Sequence, residues 1–323
     1  MILAMEKLRL ALIAGGFSGE REVSLKSGDA VQAALDPTKY AVTRYDPKDG
    51  LAALLQDREG IDLAFVLLHG RFGEDGSIQG FLDLLRIPYV GSGVLASAMA
   101  LNKKVAKDVY ERAGLHVIDH VHLMGRHGVS VEEILERVGP STVVKPVSEG
   151  SSLGVTICHS RQELEKGLDR AFELDEEVLV ERFLRGTEVT CCVLGTRVVE
   201  ALPLIEIVPN SEYTFFDYRA KYTPGATHEI CPARVSPVFT EEAQSAAKKA
   251  HLALRCKVWS RTDMIIHEDR VYVLETNTIP GMTETSLVPL AAKVAGMSFS
   301  RLLDRLIDLS LEGRERSTPR LTP

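Results

Sequence analysis

No stretch of this chain is apolar for long enough to cross a bilayer, and the opening Met1-Ile-Leu-Ala-Met-Glu-Lys7 is too short a run for a secretory leader. A cytoplasmic protein with no membrane partner is expected. Positive charge is in short supply: 38 Lys and Arg against 45 Asp and Glu leave a net charge of -7 and a pI of about 5.8. That balance argues against a nucleic-acid partner, so any anionic ligand must be held by individually placed lysines and arginines. The five cysteines (158, 191, 192, 231 and 256) are odd in number and lack CxxC spacing, which reads as reduced and mostly buried thiols. Two phosphate signatures are also missing. The turn after Gly15-Gly16 does not continue as GxGxxG, and no Gly-Lys-Ser/Thr opens a helix, so neither a dinucleotide fingerprint nor a Walker loop is present.

What is present is an ordinary soluble composition, 45% hydrophobic and 26% charged, on a 323-residue chain long enough for two or three domains. The stretch from Arg261 to Gly281 organises it. Met264 to His267 and Val271 to Leu274 are short, apolar and β-branched, with Glu268-Asp269-Arg270 between them as a hairpin loop. A three-residue loop sets Asp263 opposite Glu275, and Glu275 and Asn277, two apart on an extended chain, leave the same face. Two carboxylates and one amide suit a hard cation, Mg²⁺ or Mn²⁺, that completes its shell with water and phosphate. A solvated hairpin with acids facing water is the competing reading. The Pro280-Gly281 break, which leaves backbone N–H groups beside the cluster, favours the cation.

Upstream, Leu8 to Ala14 reads as a buried parallel strand ending in a turn, and the helical pattern after it starts at the strand's carboxyl end, where open α/β sheets bind ligands. Glu20 there is either a ligand contact or a first-turn acid favoured by the helix dipole. Leu63 to Leu68 is a second strand, and His69 at its end is either ligand-facing or a satisfied structural histidine. Ser77 to Leu85 reads as helix, Ile87 to Val90 as a short strand, and a further helix begins near Leu95. A doubly wound α/β domain thus spans 1–103, followed by a unit of shorter alternating elements at 104–189 and a third at 190–311. Lys145 precedes the small-residue loop after Pro146, which is an anion site or a surface turn. Glu181 and Glu188 are candidate acceptors for an amine and for sugar hydroxyls, or solvated acids. Residues 211–226, aromatic yet broken by Pro and Gly, have the character of a lid, and 312–323 that of a disordered tail.

Six stretches in fixed order, GGFSGEREVSLKSG, LHGRFGEDG, VGSGVLASAMALNK, VVKPVSEGSSLGV, DYRAKY, and RTD with ETNTIPGMTETSLVP, resemble the D-alanine–D-alanine ligases of the ATP-grasp superfamily over about Leu8 to Leu311. The resemblance implies a three-domain ATP-grasp fold and ADP-forming ligation of two D-alanines through an acyl phosphate, for peptidoglycan precursors. It also implies ATP and two Mg²⁺ or Mn²⁺ ions at the site, and a homodimer. By the same resemblance Glu20, with Ser151 and Tyr222, holds the first D-alanine. Lys103, Lys145 and the lid's Lys221 hold ATP phosphates, while Glu181, Phe183, Leu184 and Glu188 hold adenosine. Asp263, Glu275 and Asn277 carry the metal, Arg261 and the Gly281 N–H form the oxyanion hole, and Ser286 and Leu287 meet the second substrate's carboxylate, with His69 near the reacting groups. Asn102 departs from the family, which often has Asp there. A D-alanine–D-lactate ligase or another ATP-grasp carboxylate-amine ligase is the rival reading. Tyr222 argues against the lactate type, and the intact acids argue against a non-catalytic nucleotide-binding relative.

Overall fold

The structure, a computed structural model, describes residues 6–150, 153–210 and 227–312. Three sheets follow one another along the chain. The first is parallel: β1 (Leu8–Ile13) lies between β2 (Tyr40–Tyr45) and β3 (Leu63–Val66). Being central, β1 is covered on both faces, which is why Leu10 to Ala14 can be apolar without alternation. The helix after it, α1 (Arg21–Ala34), lies so close that a Cβ on Gly28 would sit 2.8 Å from that of Ala14. The strand expected at 87–90 shrinks to one bridge between Tyr89 and Ala64. Pro88 has no N–H to donate, so its carbonyl and the Val90 N–H make the only two ladder bonds, both to Ala64.

The second sheet is antiparallel, in the order β4-β7-β5-β6, from β4 (His120–Met124), β5 (Thr142–Pro146), β6 (Thr156–Cys158) and β7 (Glu177–Arg182). Helices Val131–Val138 and Arg161–Phe172 close one face through Ile134, Val138, Leu164 and Leu168. The third sheet holds β8 (Thr187–Gly195), β9 (Val199–Ala201), β10 (Ile205–Pro209), β11 (Thr227–Ile230), β12 (Val258–His267) and β13 (Arg270–Asn277). Its order is β11-β10-β8-β12-β13, with β9 beside β8. It therefore begins at Thr187, three residues before the expected division at 190.

Packing crosses the divisions drawn from sequence. Helix Lys103–Arg112 lies on the third sheet, its Ala106 and Tyr110 against Val189, Met264 and Val273, and the Tyr110 hydroxyl is 2.8 Å from that of Thr276. On the other side Trp259, Cys192 and Leu194 share one core with β1 and β3 and with helices Leu287–Val294 and Phe299–Glu312. Lys39 and Tyr40 both reach Asp304 on the last helix at 2.7 Å. The parallel sheet and the third sheet are thus held as one body, and a cleft separates the second sheet from the third. All five cysteines are free thiols. Among the described residues no helix is long and apolar enough to cross a membrane.

Candidate active site

Asp263 does face Glu275 across the β12–β13 ladder, and Arg261 faces Asn277, but the route differs from the expected one. The loop has two residues, Glu268 and Asp269, because His267 already pairs with Arg270. Carried on regularly, that register would set Asp263 opposite Leu274. A bulge at Leu274 moves the register by one, so Met264 faces Val273 while Asp263 faces Glu275. The same bulge separates faces: Val271 and Val273 stay in the core, and Leu274 and Glu275 both line the cleft.

Asp263 is held from three sides. Arg261 binds it through two parallel contacts, Nε to Oδ1 at 2.9 Å and Nη2 to Oδ2 at 2.8 Å. The Thr190 hydroxyl donates to Oδ1 at 2.6 Å, and the Asn277 amide to Oδ2 at 3.3 Å. Burial works against the Arg261 charge, but Asp263 more than offsets it and holds the guanidinium well above its ordinary pKa. With its NH₂ on Asp263, Asn277 has its carbonyl oxygen as the donor atom for a cation. Among the described residues no three His, Cys, Asp or Glu gather as a closed metal cage. Two carboxylates and one amide oxygen opening on a cavity fit Mg²⁺ or Mn²⁺, which keeps water and phosphate in its shell.

Two N-terminal loops close on this hairpin. The Glu20 carboxylate is wedged against glycines: a Cβ on Gly70, whose φ is +68°, would come 2.6 Å from Oε2, and one on Gly150 would come 3.0 Å from it. His69 is buried and held within the protein. Its Nδ1 donates to the Ile279 carbonyl at 2.9 Å, which leaves Nε2 as the acceptor facing Ser27 Oγ at 3.5 Å. Burial lowers its pKa, so the ring is neutral. Glu74, inside the LHGRFGEDG stretch, completes the clamp. One oxygen accepts from the Gly70 N–H at 2.8 Å and the other from the Ile279 N–H at 3.2 Å. Ile279 is therefore gripped at both backbone groups, two residues before Gly281. The Ser286 hydroxyl lies 3.1 Å from where a Gly281 Cβ would be, and Ser286 and Leu287 form the start of helix Leu287–Val294.

A cavity of about 590 Å³ between the second and third sheets runs up to Asp263 and Glu275 and is lined by Lys103, Lys145, Glu181, Phe183, Leu184 and Glu188. Lys103 Nζ donates to the Glu149 carbonyl at 2.5 Å. Asn102 caps the helix carrying Lys103 by accepting from the Val105 N–H at 2.9 Å, as an Asp would, so that departure costs nothing in local structure. The Phe183 ring meets His159 edge-on at 5.4 Å. Glu181 is not simply turned to the cavity: Lys145 and Lys107 flank it at 2.6 and 2.8 Å. Lys107 was not singled out in the sequence. It had no motif to mark it, only a lysine four residues after Lys103 on a helix that proves to be buried. Ser151, Lys221, Tyr222 and the whole expected lid at 211–226 lie outside the described residues.

Residues 109–308 match the family described as D-ala D-ala ligase C-terminus, and residues 46–92 the one described as D-ala D-ala ligase N-terminus. The chain belongs to the D-alanine–D-alanine ligase family. It is 54% identical over 310 residues to a D-alanine–D-alanine ligase of Syntrophobacter fumaroxidans, covering 96% of this chain and 100% of that protein. Among solved structures it resembles the Bacillus anthracis D-alanine–D-alanine ligase complexed with ATP, with a TM-score of 0.85 and 33% identity over 96% of this chain and 100% of that one. It also resembles the VanG D-Ala:D-Ser ligase of Enterococcus faecalis, with a TM-score of 0.82 and 33% identity over 94% and 100%. Ligases of this family with different second substrates thus share one fold.

Proposed function

We propose that this chain joins two D-alanines at the expense of ATP, releasing ADP and phosphate, and that the cleft described above is where it does so. The observation that carries the reading is the placement of Asp263 and Glu275 at the end of the nucleotide-sized cavity, with Arg261 and Asn277 both bound to Asp263 and Glu20 against Gly70 and Gly150 nearby. A carboxylate is a poor acyl donor. Transfer of the γ-phosphoryl group of ATP to the first D-alanine's carboxylate makes it a good one, and the second D-alanine's amine then displaces phosphate. Glu20 takes the first substrate's ammonium. Lys103 and Lys145 take phosphate charge, and Glu181 and Glu188, with Phe183 and Leu184, take adenosine. Asp263, Glu275 and Asn277 would hold Mg²⁺, which supplies charge neutralisation for the transferring phosphoryl group. Arg261 keeps Nη1 off Asp263, and that edge together with the Gly281 N–H meets the oxyanion. Ser286, through its hydroxyl, and Leu287, at a helix start, meet the second carboxylate. A cytoplasmic homodimer is the proposed working form, and sedimentation tests the assembly.

The test is phosphate release from ATP with D-alanine, L-alanine, D-lactate and D-serine side by side, with the product weighed by mass spectrometry. D-Alanine alone should give rapid phosphate release and the dipeptide. Phosphate release that ignores D-alanine would sink the reading. Preference for D-lactate or D-serine paired with D-alanine would keep the chemistry and move the second substrate.

A further inference from the structure

Two lysines share one carboxylate beneath the cavity. Glu181 on β7 is 1% exposed and Lys107, on the helix Lys103–Arg112, is 0% exposed. The Lys107 ammonium is 2.8 Å from one Glu181 oxygen, and the Lys145 ammonium, from the neighbouring strand β5, is 2.6 Å from the other. Both contacts are close in distance but poorly aimed as hydrogen bonds. Charge against charge is their larger part. Lys107 sits among Ala106 and Tyr110 on a helix face that is otherwise core. Burying an ammonium there is costly, and what offsets the cost is the charge of Glu181 and not apolar packing.

We infer that Lys107 is a positioning residue for nucleotide binding: it neutralises Glu181, so that the charge of Lys145 remains available to the phosphates. With Lys145 and Glu181 alone, the pair would be neutral and its lysine held by its own carboxylate. The third member restores one net positive charge at the cavity floor and fixes the carboxylate by both oxygens. Burial alone would raise the Glu181 carboxyl, but Lys107 first and Lys145 second bring it down to about 2, while burial draws the Lys107 ammonium below its ordinary value against the pull of Glu181. This inference rests on the ATP reading of the cavity and adds a residue that touches no part of ATP.

The experiment compares calorimetric binding of ATP and adenosine, since only ATP carries the phosphates. In the wild type, ATP should bind well more tightly than adenosine; equal affinities would overturn the reading of the cavity itself, before Lys107 is in question. In Lys107→Met the ratio of ATP to adenosine affinity should fall roughly tenfold or more, as expected for losing one charge at short range in a partly screened site. Lys107→Arg should largely keep the ratio. Adding Glu181→Gln to Lys107→Met removes the opposing charge and should restore it. A merely structural lysine predicts instead that ATP and adenosine weaken together and that the double variant is worse than the single one, and either result overturns the inference. Should Lys107→Met fail to fold, Glu181→Gln alone decides: the ratio must rise, and an unchanged or lower ratio refutes the proposal.

Discussion

Arg261 grips Asp263 along one edge of its guanidinium, Nε and Nη2 lying 2.9 and 2.8 Å from the two carboxylate oxygens, while Nη1 makes no contact with that carboxylate. One residue is thereby given two tasks. The fork orients an acid placed to carry the metal, and the remaining N–H edge is available to a developing oxyanion.

Arg261→Met should lower the single-turnover rate of dipeptide formation by roughly 10²- to 10³-fold at saturating Mg-ATP and D-alanine, as for loss of one oxyanion donor. Binding of Mg-ATP should change far less. A near-normal rate would leave Arg261 with the orienting task only.

Asp263→Asn and Glu275→Gln should both abolish most turnover, and they should part company in stability. Asp263→Asn strands a buried guanidinium, which costs about 3–5 kcal/mol when one member of a buried pair is removed. Glu275→Gln leaves the Arg261–Asp263 fork in place and should lose less stability. Full turnover of either variant at limiting Mg²⁺ would take the cluster out of the mechanism, and equal melting temperatures would contradict the Arg261–Asp263 fork.

Gly70→Ala places a methyl group 2.6 Å from Glu20 Oε2, at a backbone φ of +68° that a non-glycine residue adopts at some cost. The carboxylate end can swing away, so the protein should fold with a loss of about 1–2 kcal/mol. The displaced Glu20 should raise the KM for the first D-alanine by tenfold or more while ATP affinity holds. Steady-state kinetics at varied D-alanine checks it: an unchanged KM would place the ammonium elsewhere.

Glu74 gives a pH signature. Burial first and Glu20 second push its carboxyl up to about 8, against the pull of the Gly70 and Ile279 N–H groups. An acid with a higher pKa folded than unfolded keeps more protons in the folded state. Its contribution is therefore fully present below the unfolded value of 4.5 and is lost as pH rises through about 8. Glu74→Gln loses an acceptor for one N–H at every pH, a constant cost, but it also loses the titration. Stability of the variant relative to wild type should therefore climb between about pH 5 and 8 and then level off. Denaturant melts at three pH values measure it, and a pH-independent difference would remove the ionisation from the account.

The sequence by itself carried the strands β1 and β3, the β12–β13 hairpin with its facing acids, and the order of motifs. These rest on local pattern: apolar runs, period-two alternation and glycine-bounded turns. It could not give the phase of β13. Regular alternation along Val271-Tyr-Val-Leu-Glu-Thr-Asn277 puts Val271, Val273, Glu275 and Asn277 on one face, and only the bulge at Leu274, selected by burying the valines, turns the last two into the cleft. A two-residue loop and a bulge together gave the Asp263–Glu275 pairing that a three-residue loop had suggested. Glu74 and Lys107 were illegible for a related reason. Their partners, Ile279 and Glu181, lie 205 and 74 residues away in sequence, and only the packing of separate elements around one cleft brings an isolated acid or lysine to a partner that gives it a role.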